Sequence, residues 1–161
     1  MKKSIFLILA VMAVVISCDK IETENENPQK ESEQVDSIAK NDTIFYSGTL
    51  TANASSGDCI TPDTKISINL TEKADSISIT IFKAKLAQRM PAMDIIIPTI
   101  SLNVNGDVKE ISSERSIPLA MGSEFPAYTV TEFEGIMAAD TISFSLKFGQ
   151  TPTSFRGEII K

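Results

Sequence analysis

Thr141-Ile142-Ser143-Phe144-Ser145-Leu146-Lys147-Phe148 alternates polar and apolar side chains without a break. Successive side chains on a β-strand point to opposite faces, so this pattern predicts a strand with one dry face and one wet face. The same period recurs along the chain. Ile44, Tyr46, Gly48 and Leu50 alternate with Thr43, Phe45, Ser47 and Thr49. Ile66, Ile68 and Leu70 alternate with Lys65, Ser67 and Asn69, and Ile77, Ile79 and Ile81 with Ser76, Ser78 and Thr80. No segment of ten or more residues carries a helical period. Residues 83–90 have room for one or two helical turns before Pro91 ends them.

Extending the pattern gives eight strands, at 43–51, 64–71, 76–86, 94–104, 107–119, 127–138, 141–148 and 153–160. Short connections between consecutive strands predict an antiparallel meander. The expected fold is all-β: an antiparallel, up-and-down, eight-stranded β-barrel, which leaves no open edge. A two-sheet β-sandwich is the alternative. In such a meander the connections 52–63, 87–93, 120–126 and 149–152 share one end, and the tighter 72–75, 105–106 and 139–140 share the other. Asn105-Gly106 is a two-residue hairpin signal.

Outside these strands, the first residues carry a different message. Met1-Lys2-Lys3 precedes an apolar block from Ile5 to Ile16, then Ser17-Cys18. A positive start, an apolar middle and a small residue before cysteine is the layout of a signal peptide of the lipoprotein type. The block is too short to span a membrane. The expectation is a signal segment at 1–17, lipid attachment at Cys18, and an exported protein held to a membrane by that anchor. The location implied is the cell envelope, at the outer membrane, with the face undecided. Residues 18–42 are acidic and lack aromatics, which predicts a flexible linker. From residue 19 it would reach roughly 25–30 Å as a coil. Residues 43–161 form the domain.

Composition then excludes several roles. Removing residues 1–17, with two lysines and no acid, takes the net charge from −6 to −8. An acidic chain without a basic cluster is a poor nucleic-acid partner. The chain has no His, so Ser-His-Asp and Cys-His catalytic sets cannot form, and the commonest metal ligand is missing. No close Cys pair, phosphate-cradling Gly loop or cofactor motif is present. With Cys18 acylated, Cys59 has no partner in the chain and is expected as a small buried apolar residue. Glu132/Glu134 and Glu110/Glu114 are paired carboxylates, but they sit among polar strand residues and read as a solvated face. No enzyme activity, metal or cofactor is expected.

The candidate binding residues cluster at the long-loop end. Ile60, Met90, Met93, Met121 and Phe125 are unusual for exposed loops; they would either rim an apolar pocket or plug the barrel end as core. Lys83 and Lys85 would point inward if the phase of Ile77-Ile79-Ile81 continued. Ile81-Phe82 followed by Ala84 and Leu86 instead favours a slip such as a β-bulge. Asp94 shares the even phase of Ile96, Ile100 and Leu102, and an inward Asp94 would face those lysines. With Tyr46 on the first strand, these residues complete the candidate set for a small apolar or amphipathic ligand.

Tyr46-Ser47-Gly48-Thr49-Leu50, the run from Met90-Pro91-Ala92-Met93-Asp94 to Pro98, and Phe155-Arg156-Gly157 together resemble the calycin-like family of bacterial lipoproteins. That family is similar to lipocalins and fatty-acid-binding proteins, so the resemblance implies an eight-stranded barrel open at one end. It carries no binding residues to this chain, and the Gly-x-Trp signature of true lipocalins is absent because the chain has no Trp.

Two non-catalytic roles follow. The first is a lipid-anchored barrel that binds a small hydrophobic or amphipathic ligand. The second is a solid barrel that displays its surface, with residues 52–63 as contact loop, to a protein or glycan. A continuous internal cavity favours the first, and a filled interior the second.

Overall fold

Thr141–Phe148 is a strand in the structure, with Ile142, Phe144, Leu146 and Phe148 buried and Thr141, Ser143 and Ser145 exposed. The structure is a computed structural model and describes residues 43–71 and 75–161. The expected signal segment 1–17, the lipidation site Cys18 and the linker 18–42 lie outside the described residues. In chain order the strands are β1 (Thr43–Ala54), β2 (Gly57–Leu70), β3 (Ser76–Ala84), β4 (Met93–Asn105) and β5 (Val108–Ser116). The short β6 (Leu119–Ala120) and β7 (Ser123–Glu124), a 3-10 turn at Pro126–Tyr128, β8 (Val130–Ala138), β9 (Thr141–Phe148) and β10 (Thr151–Ile159) follow.

Each long strand pairs antiparallel with the next, skipping the small β6–β7 hairpin. β1 also pairs with β10, so the eight long strands close into an up-and-down barrel. A two-sheet sandwich would leave a gap in this ring, and there is none. Two of the three resembling segments meet at the closing seam, where Gly48 opposes Gly157 and Leu50 opposes Phe155, while the run from Met90 to Pro98 leads into β4, away from that seam.

The predicted strand count holds, but the 52–63 loop does not. It is a hairpin, with Leu50, Ala52 and Asn53 opposite Thr61, Cys59 and Asp58, around a turn at residues 55–56. Its turn-forming residues Asn53, Gly57, Asp58 and Pro62 hid a strand whose inward side chains, Ala52 and Cys59, are merely small. The two sides are tied by Asn53 Nδ2 donating to Asp58 Oδ1 at 2.9 Å. The Asn105-Gly106 hairpin is one residue out of place: Asn105 pairs with Val108, and Gly106 (φ 64°) and Asp107 make the turn.

Four bulges shift the alternation. In β2, β3 and β8 each lies at a non-glycine residue with positive φ: Asp63 (52°), Lys83 (52°) and Glu132 (51°). In β4, Pro98 and Thr99 oppose the single Ser78. Proline has no N–H for the ladder, so a bulge is where a barrel strand tolerates it. After each slip the other parity faces the core. Inside, Phe133, Phe144 and Phe155 stack across β8, β9 and β10 with centroids 5.2 and 5.3 Å apart. Leu50, Ile66, Ile79, Ile81, Ile95, Ile97 and Ile100 have 0% of their surface exposed. A void wide enough for water would leave accessible surface on the side chains around it, so the barrel is filled where these residues meet.

Candidate functional site

The sequence candidates divide between the two ends of the barrel. Antiparallel order puts the connections 85–92 and 117–129 at one end, with the hairpin turns 55–56 and 149–150. Thr43 and the turns 106–107 and 139–140 lie at the other. Tyr46, four residues into the described chain, is buried near that second end. Burial, and secondarily the Asp140 carboxylate, raise its phenol above the usual pKa. It shares no site with the methionines.

At the first end, Met93, Asp94 and Met121 line an open concavity of about 430 Å³ with Pro91 and Ala92. Met90 and Met93 are half-buried and pack against the core, as a plug would. Phe125 stacks on Tyr128 with ring centroids 4.7 Å apart. Ile60 and Met121, by contrast, are 65% and 88% exposed. The end is therefore part plug and part apolar rim.

The slip expected near Phe82 is present, and the inward alternative for Lys83 and Asp94 does not hold. Lys83 sits in the β3 bulge, which turns its side chain outward, and Lys85 is only half-buried. Ile95 and Ile97, not Ile96, carry the inward phase of β4 before Pro98 reverses it, so Asp94 is exposed. The two residues do meet, on the outside: the Lys83 backbone N–H donates to Asp94 Oδ1 at 2.8 Å. The bulge takes this amide out of the ladder, and the carboxylate supplies its acceptor.

A second concavity, of about 820 Å³, lies on the barrel wall and was not foreseen. Outward residues of six strands line it, among them Thr49, Asn103, Glu110, Glu134, Ser143 and Arg156. Three glycines hold inward positions on β1, β8 and β10, and one of them, Gly135, lines the concavity. A Cβ on Gly135 would lie 2.6 Å from Phe144 Cβ. One on Gly157 would lie 2.7 Å from Ser47 O, and one on Gly48 would overlap the Arg156 carbonyl. Without inward side chains, neighbouring atoms approach these backbone positions closely. Glycines at apolar positions of alternating strands were the signal in the sequence. Asn103 Nδ2 reaches Glu110 Oε2 at 3.5 Å, and Arg156 makes no ion pair with a described residue. The lining offers hydroxyls, carboxylates and one guanidinium beside apolar surface that includes the exposed Ile136, which suits a partner that combines hydrogen bonds with apolar contact.

Cys59 is buried at 8% exposure. Glu132, of the first carboxylate pair, accepts from Lys147 Nζ at 2.7 Å, while Glu134 lines the wall concavity. Among the described residues, no group of three or more His, Cys, Asp and Glu could hold a metal. Comparison with family models, curated proteins and solved structures finds no match to this chain.

Proposed function

We propose that the protein is a non-catalytic binding module, lipid-anchored through Cys18 in the cell envelope, that engages a polar partner, a protein or glycan, on the outside of a solid barrel. The observation that carries this is the 0% exposure of the inward Leu50, Ile66, Ile79, Ile81, Ile95, Ile97 and Ile100 on β1 to β4. A small-molecule carrier needs several hundred Å³ of enclosed apolar space, and these residues enclose none. The wall concavity supplies a recognition surface instead, with Arg156 as a cation that pairs with no described residue. The barrel is also the fold that the calycin-like resemblance implies.

Native mass spectrometry of the purified protein, compared with its denatured mass, tests the choice. The expected result is a ligand-free mass and no uptake of fluorescent fatty-acid probes. An apolar molecule that survives purification inside the barrel overturns it and restores the carrier.

A further inference from the structure

The outward side chains that line the wall concavity stand in register. Thr51 pairs with Ser154, Ser154 with Ser145, Ser145 with Glu134, and Glu134 with Ser112. They form one row that crosses β1, β10, β9, β8 and β5. A second row lies beside it, one pleat along: Arg156 pairs with Ser143, Ser143 with Ile136, and Ile136 with Glu110. Both rows line the concavity. The first is built from short hydroxyl side chains, with Glu134 as its one longer and charged member. Its period is the strand separation, about 4.8 Å, close to the length of one sugar ring in an extended chain.

From this match we propose that the partner of the wall concavity is an extended, uncharged glycan chain lying along these rows, across the strands. The inference rests on the binding-module reading above and chooses between its two partners. Ser and Thr hydroxyls both donate and accept, as sugar hydroxyls do, so a row position serves a sugar in either sense. Ile136, 49% exposed, offers apolar contact to the C–H face of a ring. Glu110 and Glu134 outnumber Arg156 in the lining, and the chain's net charge is −6, so a uronate, sulfate or phosphate chain is repelled. A protein fits less well. Protein interfaces are depleted in Ser and Glu and anchored by Trp, Tyr and Arg. Of those three anchors, the lining holds Arg156 alone among the described residues. Phe144 and Phe155 are buried at 4% and 2% exposure, so they give a sugar no stacking platform. Affinity therefore comes from hydrogen bonds summed along the row and rises with chain length.

The test is calorimetric titration of the intact chain in a zwitterionic detergent without sugar headgroups. The probes are β-1,4-linked glucose, mannose and xylose oligomers, from dimer to hexamer, and oligogalacturonate. One neutral series should bind, more tightly from dimer to hexamer, and oligogalacturonate should not. Ser145→Gln and Ser154→Gln put longer side chains in the middle of the row. Both positions are exposed, so the urea midpoint should stay at the wild-type value. Each variant should bind the hexamer at least about fivefold more weakly. Folded variants that match the wild type overturn the wall site. A dimer that binds as tightly as the hexamer overturns the row, and oligogalacturonate that binds as tightly as the neutral series overturns the uncharged chain. If no neutral series binds while the native mass stays ligand-free, the glycan is overturned and a protein remains as the module's partner. An apolar molecule in the native mass overturns the binding module itself, and this inference with it.

Discussion

Tyr46 is 2% exposed, and its phenol pKa is raised, first by burial and then by Asp140. In the unfolded chain the phenol loses its proton near pH 10. In the folded protein the proton is held to higher pH, so the native state binds more protons between the two pKa values. Tyr46 therefore contributes stability that is complete below about pH 10 and is lost as pH rises through the folded pKa. Tyr46→Phe, which cannot ionise, should unfold less steeply on the alkaline side; thermal melts across that range measure it. Identical alkaline slopes in the two proteins would show that Tyr46 does not couple folding to pH. At this scale the sequence was partly legible. It brought Lys83 and Asp94 together and located the slip at Phe82, but it did not decide which face the pair occupies. That depends on Pro98, whose bulge reverses the phase of β4 so that Ile95 and Ile97, rather than Ile96, point inward. A single odd residue in the wrong half of a strand exchanges core for solvent.

Three neighbouring strands are tied together inside the barrel by aromatic stacking. Phe144 on β9 stacks between Phe133 on β8 and Phe155 on β10, and it also lies beneath Gly135, which has no side chain to displace it. The glycine and the ring are a matched pair: any Cβ at 135 would strike Phe144 Cβ. Phe144→Ala would remove a ring that is 4% exposed and break both stacks. The expected loss is about 3–5 kcal/mol of unfolding free energy, read from urea denaturation as a lower midpoint. A loss under about 1 kcal/mol would mean the cavity collapses and the stack contributes little. Strands with clean alternation were legible, β9 to the residue. The β1–β2 hairpin was not, because Ala52 and Cys59 are too small to mark an inward face and the residues around them favour turns. The β6–β7 hairpin was missed for a related reason: two-residue strands are too short to show a period.

Closure is a property of the whole chain that no single strand displays. Eight predicted strands allowed either a barrel or a sandwich, and the difference lies in one long-range pairing, β1 with β10. That seam runs from Tyr46 opposite Ile159 to Ala52 opposite Thr153, and it continues past β10 where the Ile160 amide donates to the Phe45 carbonyl at 2.8 Å. The two ends of the domain are thus side by side. Gly48 and Gly157 approach too closely at this seam for a Cβ on either, and the wall concavity is lined by six strands, so neither could be read from separate strands. A barrel whose ends are already neighbours has no structural need for its natural break. Joining Lys161 to Thr43 through about four residues and reopening the chain between Gly106 and Asp107 keeps every pairing between long strands. The new ends then lie in an exposed two-residue turn, where termini are tolerated. This permutant should remain a monomer with the same far-ultraviolet circular dichroism and a single cooperative transition. If the chain were instead an open sheet or sandwich, the linker would tie together strands that do not meet, and the permutant would aggregate through its exposed edges. Size-exclusion chromatography and a urea melt separate the two outcomes, and a soluble, cooperative permutant places β1 beside β10 in solution.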